Sequence, residues 1–315
     1  MEDLRVLVIG GAGMLGHKVF QKVSSRIRAT SCCVRCSTGE AHRLAPTLLD
    51  SEKVIGNTDV TAWEELTLLL KQLHPDVVVN CAGIIKQRFE AHLAVPCIEV
   101  NSLLPHRVAA VCSEWNGRLI HFSTDCVFTG TRGNYTEDDT PESSDLYGRT
   151  KALGEISDSR NVITLRTSMI GRELSHFHSL LEWFLSQQNG RVRGFTQAIY
   201  SGVTTNYLAE IVLRLIVDFP DLHGLYQVVA DPISKYELLR RLRDAYGIDI
   251  ECVADAEFVC DRSMRGEKFQ RATGIATPSW DALIAGLVLD GTPYQQWRSG
   301  SVPQPECVEN RAGVL

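Results

Sequence analysis

Short, wholly apolar runs alternate with amphipathic stretches through the first half of the chain. Residues 4–9 (LRVLVI), 76–80 (DVVVN), 119–122 (LIHF) and 161–165 (NVITL) are too short for buried helices and are bounded by turn residues. That is the pattern of strands buried on both faces of a parallel sheet. A further strand is expected near residues 28–34 (RATSCCV). Helical periodicity lies between these runs: after the glycines at 10–16, ahead of His74, from Pro96 to Trp115, and from Tyr147 onward. Strand and helix alternate through residues 4–170, which predicts an α/β fold with a doubly wound parallel sheet.

From about residue 170 the rhythm changes. An amphipathic helix carrying Leu180, Leu181, Trp183 and Phe184 runs into a glycine-containing turn, and a short strand at AIY follows. A polar turn then caps a long helix, a strand at GLYQVV leads to a helix capped by Ser234, and Pro278-Ser279-Trp280 opens a last helix.

The 315 residues suffice for one large or two unequal domains, and 44% hydrophobic with 22% charged residues is ordinary globular composition. A net charge of −6 argues against nucleic-acid binding. No apolar run is long enough to span a membrane. The chain enters a strand within a few residues, which leaves no room for a signal peptide. Cys33 and Cys36 form a C-x-x-C, but no second pair follows at zinc spacing, so no metal site is expected. The other cysteines of the first half lie in apolar segments and read as small buried hydrophobes. Reduced thiols without an export signal point to a cytoplasmic protein.

The first strand runs directly into GGAGMLGHKVFQKV, in which Gly10, Gly13 and Gly16 are spaced G-x-x-G-x-x-G. Glycine permits a tight turn off the strand, close approach of backbone amides to a pyrophosphate, and a helix lying near the sheet. Strand, glycines and amphipathic helix in this order predict a dinucleotide site at Gly10, Gly13, Met14, Leu15 and Gly16. Residues 1–166 are therefore read as a Rossmann-type NAD(P)-binding domain. Residues 167–300 are read as a smaller, mainly substrate-binding domain with segments returning to the first, and 301–315 as a polar tail. At the end of the second strand, where an NAD site usually carries an acid, stands Arg35. A guanidinium suits a ribose 2′-phosphate, so NADPH is expected, with NADH left open. Asp59 either contacts adenine or starts the next helix with Thr61. Cys81, Ala82 and Gly83 are small, as backbone beside a cofactor ribose requires, and Lys86 and Gln87 extend over the crevice as candidate substrate contacts or a solvated loop. Asn101 falls in an apolar helical stripe, where its amide needs partners.

The stretch from Leu119 to Glu155 carries the reactive groups. A buried strand ends in Ser123, Thr124 and Asp125, and beyond an acidic loop Tyr147 stands one helical turn before Lys151. The i, i+4 spacing puts phenol and ammonium on one helix face, where the ammonium is expected to lower the phenol's pKa towards working pH. With Thr124 holding the same oxygen, Tyr147 is equipped to exchange a proton with a carbonyl or alcohol.

These segments together resemble the extended short-chain dehydrogenase/reductases and, more closely, the dTDP-4-dehydrorhamnose reductase family. The resemblance covers about residues 4–290 and rests on VIGGAGMLGHKV, DVVVNCAG, FSTDCVFTG, YGRTKALGE, LRTSMIG, SGVTTNYLAEIV and PSW. CAGIIKQ and DPISKYELL are similar to the branch found among surface-polysaccharide enzymes. The resemblance implies Thr124, Tyr147 and Lys151 as the catalytic triad, the last two also holding the cofactor, and Asp125 as an acid near the substrate. It implies reduction of a nucleotide-linked 4-keto-6-deoxy sugar, carried on dTDP or UDP. Arg172, Arg193 and Arg265 become candidates for the diphosphate. Two positions depart from the pattern: Met169 stands where the family often has a pocket tryptophan, and Cys126 where related dehydratases carry a glutamate that eliminates water. A 4-epimerase with tightly bound NAD and a non-catalytic NADP-binding regulatory subunit are the alternatives. A homodimer is left open.

Overall fold

The computed structural model describes residues 4–50, 52–86 and 89–299. Its first half runs β1 (Val6–Ile9), α1 (Gly16–Ser24), β2 (Thr30–Cys33), α2 (Thr38–Leu44), β3 (Val54–Ile55), α3 (Trp63–Leu73) and β4 (Val77–Asn80). Next, α4 (Ala94–Cys97) passes through a π-helical turn (Ile98–Leu103) into α5 (Leu104–Ser113), and β5 (Arg118–Thr124), α6 (Leu146–Leu153) and β6 (Val162–Thr167) follow. The remainder runs β7 (Met169–Ile170), α7 (Leu180–Leu185), β8 (Arg191–Tyr200), β9 (Val203–Thr204), α8 (Thr205–Val217), β10 (Gly224–Gln227) and β11 (Ile233–Ser234). It ends with α9 (Lys235–Tyr246), β12 (Glu251–Asp261), α10 (Glu267–Thr273), α11 (Trp280–Val288) and α12 (Tyr294–Ser299).

Seven strands form one sheet in the order β10-β6-β5-β4-β1-β2-β3, every pair parallel. Successive residues of a strand point to opposite faces, and both faces are covered. Val6, Val8, Ile120 and Phe122 join the core that includes Val19 of α1 and Leu208 of α8, while Leu7, Leu119, Leu66 and Val108 fill the other. This is why the strands read as continuous apolar runs rather than alternating ones. Strand order reverses between β1 and β4, which opens a crevice at the carboxyl ends of the strands, where such sheets bind ligands. β10, from the C-terminal half, pairs with β6 as the edge of the same sheet.

The second half supplies a three-stranded sheet, β11-β8-β12. Here the sequence reading is corrected in two places. β8 begins at Arg191, inside the stretch read as a turn, and β12 was not expected at all. β12 is mostly exposed, and its pairing with β8 slips register between Asp255 and Val259, so no clean alternation marks it. The capping expectations hold where the side chain has a local target: the Ser234 hydroxyl accepts from Glu237 N at 3.1 Å, and Ser279 from Ala282 N at 3.2 Å. The helix opened by Ser279 is followed by α12, so it is not the last. Among the described residues, no helix is long and apolar enough to cross a membrane.

Candidate active site

A cavity of about 1090 Å³ runs along the carboxyl edge of the sheet, from the glycine turn after β1 to the start of α9. At its first end Gly10 has φ +83°, a conformation L side chains rarely adopt, and its carbonyl accepts from Gly13 N at 3.0 Å. A Cβ on Gly16 would sit on that same carbonyl oxygen, so α1 can start this close to β1 only with glycine there. Met14 and Leu15 line the cavity, and among the described residues their amides donate to no protein oxygen. Free amides at the start of a nine-residue helix fit an anionic pyrophosphate. Cys81, Ala82 and Gly83 continue the same wall beyond β4.

Further along this end lie Arg35 and Asp59. Arg35 is exposed, and its charge helps to hold Asp59 below the usual carboxylate range, behind the larger effect of Thr61, whose amide donates to the carboxylate at 2.9 Å. The helix that follows is capped at Ala62, so Asp59 forms a local turn with Thr61 rather than the cap itself.

Thr124, Asp125, Tyr147 and Lys151 line the same cavity. β5 delivers Thr124, and Asp145 caps α6 by accepting from Gly148 N at 2.8 Å, which fixes the first turn carrying Tyr147. Thr124 Oγ1 accepts from Cys126 N at 3.1 Å and donates to Asp125 Oδ1 at 3.0 Å. Burial raises the pKa of Asp125, against the opposing pull of Arg262. Lys151 Nζ donates to the carbonyl oxygen of Phe122 at 2.6 Å, and burial lowers its pKa to about 8.

The expected effect of Lys151 on Tyr147 is corrected here. The phenol's pKa is raised rather than lowered, first by burial and then by the neighbouring Cys126, while Thr124 pulls the other way. Loss of water around the phenol dominates, and the groups that act on it next are Cys126 and Thr124. Tyr147 is therefore held protonated.

The other expected residues divide. Lys86 lines the cleft, pairs with Asp145 at 2.8 Å and sits 5.7 Å from the centre of the Tyr147 ring; Met169 also lines it. Gln87 lies outside the described residues, as does the 301–315 tail. None of the three arginines assigned to the diphosphate lines the cleft. Arg172 pairs with Glu182, Arg193 with Asp255 and Glu257, and Arg265 with Glu267. Arg265 meets an acid two residues along, whereas Arg172 and Arg193 meet acids well separated in sequence. Two cations not singled out from sequence do line the cleft, Lys235 at the start of α9 and Arg262 just after β12. Arg262 Nε donates to Phe128 O at 3.0 Å, which sets its charge beside Asp125 and Cys126. Lys235 was within reach of sequence reasoning, since it follows the capping Ser234 directly; Arg262 carried no signal.

Asn101 lies in the π-helical turn before α5 and works through the backbone. Its Oδ1 accepts from Ile84 N at 2.9 Å and its Nδ2 donates to Ile84 O at 3.0 Å, while Ser102 Oγ donates to Thr150 O at 2.8 Å. Asn101 and Ser102 of the π-helical turn thus tie the wall after β4 to the helix bearing Tyr147 and Lys151.

Hydroxyl, phenol and ammonium line one cleft with a glycine turn, at the carboxyl edge of a parallel sheet with the Rossmann strand order. A family model described as the RmlD substrate binding domain matches residues 4–292, and the chain belongs to that family. It is 33% identical over 150 residues to a probable low-salt glycan biosynthesis reductase, Agl14, of Haloferax volcanii, covering 47% of this chain and 46% of that one. It is 30% identical over 152 residues to methionine adenosyltransferase 2 subunit beta of Rattus norvegicus, covering 48% and 41%. The chain thus spans about half the length of these curated relatives. A dTDP-4-dehydrorhamnose reductase of Bacillus anthracis, solved in complex with NADP, shares the fold with a TM-score of 0.75 at 18% identity, over 92% of this chain and all of that one.

Proposed function

We propose that this chain is an NADPH-dependent reductase of a nucleotide-linked 4-keto-6-deoxy sugar, carried on dTDP or UDP. One observation supports the reading: Thr124, Tyr147 and Lys151 line the same cleft as the glycine turn of Gly10, Gly13, Met14 and Leu15. NADPH held there would supply the hydride that reduction of the keto carbon needs. Gly10, Gly13, Met14, Leu15 and Gly16 would hold the pyrophosphate, Arg35 the 2′-phosphate and Lys151 a ribose hydroxyl. Tyr147 then gives its proton to the oxygen that becomes an alkoxide, and a phenol kept protonated by burial begins in the form reduction needs. Thr124 fixes that oxygen's position, and Asp125 orients a neighbouring sugar hydroxyl. Lys235 and Arg262, with Lys86, are the cations of the cleft suited to the substrate's diphosphate. We place the enzyme in the cytoplasm and keep the homodimer as its proposed assembly.

The test is native mass spectrometry of the purified protein, then titration with NADPH and NADH and assay on dTDP- and UDP-4-keto-6-deoxy sugars. Preferential NADPH binding and cofactor oxidation with one of these sugars is the expected result. Stoichiometric NAD retained through purification would make the protein an epimerase. The likeness to the rat methionine adenosyltransferase subunit supports a second reading, a non-catalytic NADP-binding subunit. NADPH binding without turnover of any keto sugar, and co-purification with a partner enzyme, would favour it.

A further inference from the structure

A continuous set of contacts leads from the glycine turn to the 173–179 wall of the cleft by way of α12. The Gly13 carbonyl can only accept, so Nδ1 of His17, 2.8 Å away, carries the ring proton; Nε2 is then the acceptor, and the Tyr294 hydroxyl donates to it at 2.7 Å. Burial holds the imidazole neutral, with its pKa down at about 4, so this arrangement persists across ordinary pH. The Tyr294 ring has two guanidinium groups beside it, Arg172 at 5.0 Å and Arg298 at 5.9 Å. Both converge on Glu182 Oε1, at 2.8 Å from Arg172 Nε and 2.6 Å from Arg298 Nη2.

From there the contacts enter the wall itself. Glu182 accepts from Glu173 N at 2.9 Å, Arg298 Nη2 donates to Glu173 O at 3.0 Å, and Glu173 Oε2 accepts from Ser179 N at 2.8 Å. The Arg298 guanidinium also lies 4.3 Å from the centre of the Phe177 ring. Within this span His176 and Phe177 hold φ values of +71° and +51°, left-handed conformations that non-glycine residues keep only where their surroundings impose them. Glu173, Ser175, His176 and Ser179 line the cleft.

We infer that Tyr294 and Arg298 are positioning residues that set the 173–179 wall against the glycine turn, so that a dinucleotide at the turn and a nucleotide sugar against the wall strengthen each other's binding. Neither residue touches a reacting atom. The inference rests on the functional reading above, and a coupling of this kind is reciprocal between the two ligands.

The experiment measures the Kd of dTDP, with UDP in parallel, by titration calorimetry in the absence and presence of saturating NADPH. In the wild type, NADPH is expected to tighten nucleotide binding about fivefold or more. Tyr294→Phe removes one oxygen atom and Arg298→Lys keeps the charge while losing the forked geometry. Each should bring that ratio towards one, with NADPH affinity measured alone close to wild type. Asp290→Asn is the control: it breaks the Lys18 pair that ties the neighbouring segment to α1 without touching residues 173–182. It should lower the melting temperature and keep the ratio. An unchanged ratio in both variants, or an equal loss in Asp290→Asn, overturns the inference while the functional reading stands. A wild type that binds neither dTDP nor UDP overturns both. If Arg298→Lys fails to fold, Tyr294→Phe alone decides.

Discussion

Lys151 donates through Nζ to the carbonyl oxygen of Phe122, which anchors its ammonium to β5 two residues before Thr124. Burial lowers its pKa to about 8, with Glu155 opposing the shift. The ammonium is therefore lost as pH rises through about 8, and kcat/KM for reduction should fall above that pH. A wild-type profile flat to about pH 10, near the ordinary lysine pKa, would remove the charge from the reaction. The stability effect has the opposite slope. The unfolded chain keeps this proton up to about 10.4, so unfolding takes up a proton between about 8 and 10.4, and this group's contribution to stability grows with pH through that window.

Tyr147→Phe deletes only the hydroxyl that gives up the proton. Turnover should drop by about 10²–10⁴-fold while NADPH affinity, measured by fluorescence titration, stays near wild type. Turnover within a few-fold of wild type would take Tyr147 out of the acid role.

Arg35→Ser tests the cofactor preference. Losing a charge-assisted contact to the 2′-phosphate, about 1.5–3 kcal/mol, should raise the Kd for NADPH roughly 10- to 100-fold and leave NADH nearly unchanged. Equal changes for both cofactors would mean that Arg35 acts as surface charge alone.

The pair Arg166–Glu155 stands behind the reactive centre. Nε and Nη2 of Arg166 each meet a Glu155 oxygen at 2.7 Å, Ser123 Oγ donates to the same carboxylate at 2.6 Å, and both side chains are buried. Arg166→Met should cost about 3–5 kcal/mol in urea unfolding, because it leaves a buried carboxylate unpaired. The double variant Arg166→Met/Glu155→Leu should recover much of that loss. A single variant as stable as wild type would show that the pair is already hydrated.

The legible parts of this protein are those whose cause is local. Gly10 and Gly16 are needed by a turn seven residues long, Ser234 and Ser279 cap helices within three residues, and Tyr147 and Lys151 are one helical turn apart. Other features depended on groups far along the chain. Arg193 is met by Asp255 and Glu257 across two strands, which no spacing announces, whereas Arg262 reaches Cys126 from 136 residues away. The direction of the Tyr147 shift failed for a related reason: a one-turn spacing names the neighbouring charge but says nothing of how much water the fold removes. β12 escaped because its exposed face carries apolar and polar residues alike, Phe258 and Val259 among them.

The parallel sheet is finished by β10, which pairs with β6 although α7, α8 and the strands β7, β8 and β9 intervene in the chain. During synthesis the ribosome must therefore extend well past β6 before its outer hydrogen-bonding edge can be covered. At about 5–20 residues per second that edge stays bare for several seconds. An unpaired strand edge is an invitation to the wrong neighbour. The nascent chain is thus most exposed to mispairing after β1 to β6 have been made, and a ribosome stalled between Thr167 and Gly224 would present six of the seven strands with one edge uncovered.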